Sequence, residues 1–126
     1  MPLAMSFTDE HTLQISAGGS VTFAEIAVML DDLLDHPRVT HGTSILVDAR
    51  GVREVPTTAE LRIVARDLAP LRERGVHRIA VCADSTFVYG VARMFGVFAD
   101  AIGLQIGAFW EVDDARKWLA SFSEAA

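Results

Sequence analysis

Two stretches in the last third of this chain decide its fold: residues 89–95, which read YGVARMF, and residues 109–119, which read FWEVDDARKWL. The first stretch places a tyrosine, a glycine and an arginine on a helix that is otherwise almost wholly apolar. The second is typical of a buried strand that passes directly into an amphipathic helix, with Asp113 and Asp114 suited to its positive N-terminal end. An apolar helix, a buried strand and a second helix in this order indicate an α/β domain.

The rest of the chain continues the alternation of strands and helices. Apolar and polar residues alternate over 12–17, which predicts a strand, and residues 5–8 pair with it in an opening hairpin. Short apolar runs predict further strands at 45–48, 79–83 and 104–110. Helices are expected after Thr22, after Thr57, over 86–102 and over 112–122, and a loop over 51–56. The order ββαβαβαβα predicts a single domain over residues 1–126, with a five-stranded, mostly parallel sheet and four helices.

Local signals mark where these helices begin and bend. Thr22 with Glu25, and Thr57 with Glu60, have the spacing of a capping box, in which side chain and main chain satisfy each other's hydrogen bonds. Pro70 lies inside the second helix and predicts a kink, because it lacks an amide hydrogen. The core is expected to include Leu30, Leu46, Val47, Leu68, Ile79, Val81 and Ile106.

Two motifs make the chain resemble the bacterial SpoIIAA-like proteins of the wider STAS and SEC14-like group. Residues 45–50, ILVDAR, are similar to the central strand of that family with its Asp-x-Arg end. The spacing from Phe109 to Ala115 and Trp118 is similar to the family's closing strand and helix. The resemblance implies a STAS-type fold and a non-enzymatic regulatory or protein-interaction domain. The alternative that it leaves open is a binder of a small apolar ligand or lipid, with an apolar pocket under the third helix.

The resemblance also draws attention to a possible phosphorylation site. STAS proteins of the anti-sigma-factor-antagonist type are switched at a serine in an Asp-Ser-Ser-Gly motif, which falls here on residues 56–59, PTTA. Thr57 and Thr58 retain the hydroxyls, whereas the aspartate and the glycine are absent. A helix N-terminus accommodates phosphate, but an N-cap role explains Thr57 equally simply, and we favour the cap.

Composition excludes several classes of function. The chain has 126 residues and a net charge of −6, which argues against nucleic acid as a partner, because phosphate binding needs a basic surface. It shows neither a secretory signal nor an apolar stretch long enough to span a membrane, so we expect a cytoplasmic protein with no integral membrane segment. The single cysteine, Cys82, is interpreted as a small buried hydrophobic residue. The histidines lack metal-ligand spacing, and we predict no metal, no cofactor and no catalytic residue.

Polar residues that follow the predicted parallel strands form a candidate ligand site. In open α/β sheets, ligands bind beyond the carboxyl ends of the strands, near the point where the strand order reverses. The residues expected at that edge, or in the first turns of the third helix, are Asp48, Arg50, Asp84, Ser85, Tyr89, Arg93 and Glu111. The alternative is a salt bridge from Arg93 to Asp48 or Asp84 with no ligand.

The third helix carries two apolar stripes, and we expect one of them to bind a second copy of the chain. The bulkier stripe, which includes Phe87 and Phe95, is assigned to the sheet. The other consists of small residues at four-residue spacing, flanked by Val97, and predicts a homodimer interface at Val88, Ala92, Gly96, Val97 and Ala99. The regulatory or interaction role also implies a protein partner, whose binding surface the sequence does not specify. Packing of this stripe inside one chain is the alternative.

Overall fold

The structure, a computed structural model, describes residues 3–122 and contains the predicted five-stranded sheet. The strands in chain order are β1 (Leu3–Phe7), β2 (Thr12–Ala17), β3 (Gly19–Ser20), β4 (Ser44–Asp48), β5 (Val52–Glu54), β6 (Arg78–Cys82) and β7 (Gln105–Phe109). The main sheet has the order β1-β2-β4-β6-β7, with β1 antiparallel to β2 and the other neighbours parallel. The predicted mostly parallel sheet is confirmed.

The helices are α1 (Phe23–Asp35), α2 (Thr58–Asp67), α3 (Ala69–Glu73), α4 (Thr86–Ala99) and α5 (Val112–Ala120), and a short 3-10 turn, Asp100–Ile102, follows α4. The second predicted helix is broken into α2 and α3 at Leu68, close to the kink expected from Pro70. Both capping boxes are present: Glu25 N donates to Thr22 Oγ1, and Glu60 N to Thr57 Oγ1, each at 3.2 Å. None of these helices is long and apolar enough to cross a membrane.

The strand order explains which face of the sheet each helix covers. The parallel strands are added in one direction, from β2 to β7, and right-handed crossovers then place α1, α2 and α4 on the same face. That face presents Ile15, Ile45 and Ile79 to the larger core. Of the described helices, only α5 lies on the opposite face, where Ala115 and Leu119 pack against Leu46, Ala80 and Cys82. The strand order never reverses from β2 to β7. The predicted polar site depended on a point of reversal in the strand order, and this sheet has none.

One segment differs from its predicted conformation. Residues 51–56 were expected to form a loop, but Val52–Glu54 makes a short parallel pair with Gly19–Ser20 beyond the carboxyl edge of the main sheet. Gly19 N donates to Gly51 O and Val21 N donates to Glu54 O, each at 3.0 Å. These bonds join the chain that leaves β2 to the chain that leaves β4, and they place Val21 and Val52 in the core.

The prediction that the small-residue stripe of α4 forms an open dimer surface is wrong. Val88, Ala92, Gly96 and Ala99 are buried within the chain, where α4 lies on β7. The close approach of helix and strand requires small side chains, so the small-residue stripe faces β7, while Phe95 of the bulkier stripe still packs against the larger core. Val97 alone of the predicted interface is exposed, and Phe87, which was assigned to the sheet, is also exposed.

Candidate functional site

A cavity of about 220 Å³ lies between the sheet and helices α1, α2 and α4. Every lining residue within 3–122 is apolar, and they are alanine, valine, leucine, isoleucine, methionine, phenylalanine and proline. The cavity occupies the region under α4 where an apolar pocket was one of the open alternatives. It is the site in the described part of the chain with the most distinctive chemistry.

The strands form the floor of the cavity because their side chains alternate. Val47 of β4 is paired with Val81 of β6, and both point to the helical face, one residue after the fully buried Leu46 and Ala80 on the other face. Val47 and Val81 were expected to be buried, but they are only partly buried, as are Leu30 and Ile106. All of them line the cavity, so their accessible surface faces that space.

The helices form the roof. Ile26, Met29, Leu30 and Leu33 recur at helical spacing on α1, and of these only Leu33 is buried. Helix α1 packs against α2, while the cavity separates its inner face from the strands. The roof is therefore less closely packed than the floor.

The lining determines what the cavity can hold. No lining side chain carries a hydrogen-bonding group, and an interior water needs two to four polar partners. A polar ligand group would lose its hydration without a replacement, which is strongly unfavourable. The apolar walls of this space are partly open to water, and covering them with an apolar ligand is favourable.

Two of the predicted polar residues form a local ion pair. Arg50 donates to both carboxylate oxygens of Asp48, from Nε to Oδ1 at 2.9 Å and from Nη2 to Oδ2 at 2.8 Å. Arg50 N also donates to Asp48 Oδ1 at 3.2 Å. These hydrogen bonds hold the pKa of Asp48 below its usual value, and the carboxylate in turn raises the pKa of Arg50. The Asp48 carboxylate is therefore already paired within its own turn.

The next polar residues at this edge also have structural partners. Asp84 Oδ2 accepts a hydrogen bond from Gly51 N at 3.2 Å, which links the loops after β4 and β6. Ser85 is the N-cap of α4 and accepts from Val88 N at 3.1 Å. Tyr89 stacks on Trp110, with ring centroids 4.5 Å apart and planes 4° from parallel.

The last two predicted site residues remain outside this network. Arg93 and Glu111 are exposed, and neither side chain makes a hydrogen bond or an ion pair with the residues that the structure describes. The alternative salt bridge from Arg93 to Asp48 or Asp84 is therefore absent, because Asp48 pairs with Arg50 instead. The polar residues at the carboxyl ends of the strands therefore make contacts within and between loops, and their side chains do not converge on a common site.

Cys82 and the two threonines have clear local environments. Cys82 is fully buried under α5, and burial raises the pKa of its thiol, with the Asp48 charge as a smaller cause. Thr57 Oγ1 accepts from Glu60 N and donates to Glu60 Oε1 at 3.1 Å, so its hydroxyl is engaged in the cap. Thr58 is exposed in the first turn of α2. Within residues 3–122, no cluster of three histidine, cysteine or acidic side chains has the arrangement of a metal site.

A second, wider depression of about 740 Å³ lies at the other end of the strands, beside the first residues of β2 and β4. It is lined by Asp9, Glu10, His11 and Arg116, among others. Asp9 Oδ1 accepts from the main chain of His11 and Thr12 at 2.8 Å, and Arg116 donates to Gln14 at 3.2 Å. The depression mixes polar and apolar side chains, and its Asp9 carboxylate is already used by the hairpin turn, so we assign no ligand to it.

Comparison with solved structures identifies the fold. No protein-family model matches the chain, and neither does any curated protein sequence. The structure is similar to the crystal structure of an uncharacterized protein of the DUF3478 family with a SpoIIAA-like fold, from Shewanella loihica PV-4. The TM-score is 0.61 at 16% sequence identity, and the match covers 93% of this chain and 91% of that one. The chain therefore has the SpoIIAA-like fold that its sequence predicted.

Proposed function

We propose that this chain is a non-enzymatic binding domain whose interior cavity takes a small apolar ligand. The observation that carries the proposal is the wholly apolar lining of a 220 Å³ space inside a domain of only 126 residues. Of the two functions left open by the sequence, ligand binding has a site whose chemistry defines what enters it. A ligand that fills the space would cover its apolar surface and stabilise the folded chain.

The engaged polar residues support a role without catalysis. Asp48, Asp84, Ser85 and Thr57 each have a partner in a turn, a loop contact or a helix cap. Cys82 lies under α5, on the sheet face opposite the cavity, and its raised pKa disfavours the nucleophilic thiolate. A buried free thiol also fits the reducing cytoplasm that we propose as the location.

Direct analysis of the purified protein tests the proposal. We expect organic extraction followed by mass spectrometry to recover one class of apolar compound in near-stoichiometric amount. Val47→Phe, which projects a larger side chain into the cavity, should abolish this recovery. Val28→Phe is the matched control, because Val28 is 57% exposed on α1 and does not line the cavity. Protein from its native source that carries no apolar compound, and whose melting temperature no apolar compound raises, would contradict the proposal.

A second candidate function rests on the outer face of α4. Phe87 and Val97 are 57% and 68% exposed on this helix, which are high values for such large apolar side chains. Met94 lies between them and is partly exposed. This surface supports the regulatory or interaction role and a homodimer, with the interface moved from the small-residue stripe to the opposite side of the helix. Light scattering that gives a mass near 13.7 kDa at micromolar concentration would exclude the homodimer.

A further inference from the structure

The size and lining of the cavity point to a narrower class of ligand. We propose that the cavity buries a hydrocarbon group of about nine carbon atoms without any polar substituent. This inference rests on the proposed function. It adds an upper limit on the number of buried carbon atoms, the ceiling on length, and the requirement that the buried group is apolar, the rule on polarity. It makes two independent demands on the ligand, and they are tested separately.

The ceiling on length follows from volume. An apolar cavity of about 150 Å³ in another protein holds one benzene molecule, which corresponds to roughly 25 Å³ of cavity for each carbon. At that ratio, the 220 Å³ measured here accommodates about nine carbons, the size of propylbenzene. The floor cannot deepen easily, because Leu46 and Ala80 beneath it are fully buried against α5. The cavity is partly open, so the carbons of a longer chain would project into solvent, where they gain no further burial.

The rule on polarity follows from the lining. Val47, Val81 and Ile106 form the floor, and Met29, Leu61 and Phe95 belong to the roof, so hydrocarbon surrounds the space on both sides. The main-chain groups of the floor strands pair with neighbouring strands. Among the described residues, no buried side-chain nitrogen or oxygen lacks a hydrogen-bond partner. A hydroxyl inside the cavity would therefore find no free donor or acceptor, and the ligand that contains it would bind more weakly.

A series of alkylbenzenes, from benzene to octylbenzene, tests the ceiling. Affinity measured by thermal shift or calorimetry should rise roughly four-fold with each added methylene. The rise should stop near propylbenzene, at about nine carbons, because further carbons project into solvent, and octylbenzene should bind no more tightly than propylbenzene. Affinity that keeps rising to octylbenzene would overturn the inference while leaving apolar binding intact.

A matched pair of ligands tests the rule on polarity. Propylbenzene and 2-phenylethanol have nearly the same shape, but the second carries a hydroxyl in place of the terminal methyl group. We expect 2-phenylethanol to bind about ten-fold more weakly or worse, because its hydroxyl is desolvated. Equal affinities would overturn the polarity rule. If no member of either series binds, the proposed function itself fails, and this outcome is distinct from a shifted optimum.

Variants of the floor tie the ceiling to this cavity. Val81→Ala removes carbon atoms from the floor and should move the optimum to about eleven carbons, near pentylbenzene. Val47→Phe should move it down to about five carbons, so that propylbenzene no longer binds. Val28→Phe should leave the optimum unchanged. An optimum that stays at the same length in a folded Val81→Ala variant would show that the ligand binds elsewhere.

Discussion

Gly96 of α4 lies directly against the main chain of Ile106 in β7: a β-carbon built on Gly96 would come within 2.8 Å of the Ile106 carbonyl oxygen. This contact sets how closely α4 approaches the sheet. Gly96→Ala should therefore destabilise the protein by about 1–3 kcal/mol, because a helix or a strand must shift to admit the methyl group. Urea unfolding followed by circular dichroism measures the change.

Gly90 is the internal control on the same helix. It is exposed, and a β-carbon built on it meets nothing within 4 Å. Gly90→Ala should stabilise the protein by about 0.5–1 kcal/mol, since alanine loses less conformational freedom in a helix. Equal changes in stability at the two glycines would contradict the placement of α4. A Gly96→Ala variant with unchanged stability would show that the small-residue stripe is exposed.

The two threonines that open α2 should differ in their contribution to stability. Thr57→Ala removes the hydroxyl that accepts from Glu60 N and should lower the free energy of unfolding by about 1 kcal/mol. Thr58→Ala removes an exposed hydroxyl without a cap bond and should change stability by less than about 0.5 kcal/mol. Thermal unfolding of both variants tests this difference, and a larger loss at Thr58 would show that the cap is misassigned.

The Asp48–Arg50 pair should leave a signature in the pH dependence of stability. Because Arg50 lowers the pKa of Asp48 in the folded chain, the pair stabilises the fold above the ordinary aspartate pKa of about 3.9. That stabilisation is lost as the pH falls through the lower, folded-state pKa. Arg50→Ala should therefore unfold more easily at neutral pH, and its difference from the wild type should disappear in strong acid.

Nuclear magnetic resonance titration of the Asp48 carboxyl checks the cause. Its pKa should rise toward the ordinary value in Arg50→Ala. It should stay low in Arg53→Ala, which removes an exposed arginine from the neighbouring strand β5. A low pKa that persists without Arg50 would identify a different source for the shift.

The buried position of Cys82 predicts that its thiol is unreactive in the folded protein. The side chain is fully buried beneath α5, and its pKa is raised by burial. Modification by a thiol reagent should be roughly 10³-fold slower in the native protein than in the urea-unfolded chain, because it requires opening of the structure. Rapid native labelling would show that α5 does not cover this face of the sheet.

Much of the fold could be predicted because it depends on local patterns. Alternation in residues 12–17, the run ILV before Asp48, and the two capping boxes each specify an element without reference to distant parts of the chain. The two faces of α4 could not be told apart in this way, since both stripes are apolar and have helical spacing. The choice between them depends on how near β7 lies, which only the packed structure reveals.

The functional site was harder to predict for the same reason. Asp48, Asp84 and Ser85 attract attention in the sequence because their side chains are reactive, but each has a local structural role. The cavity is the space that the side chains of Val47, Val81 and the roof residues do not fill. No short sequence motif predicts such an unfilled space. The sequence signal for a cavity was the high apolar content of the chain, which has a mean hydropathy of +0.30.

Xenon tests the central claim most directly, because it enters apolar cavities and gives strong electron density. A crystal of the full chain under xenon pressure should show one site bounded by Val47, Val81 and Leu30, filled by xenon or by a co-purified apolar molecule. Val47→Phe should shrink the density at that site, and Val28→Phe should leave it unchanged. A closed core, with Leu30 in direct contact with Val47 and neither xenon nor ligand between them, would contradict the account.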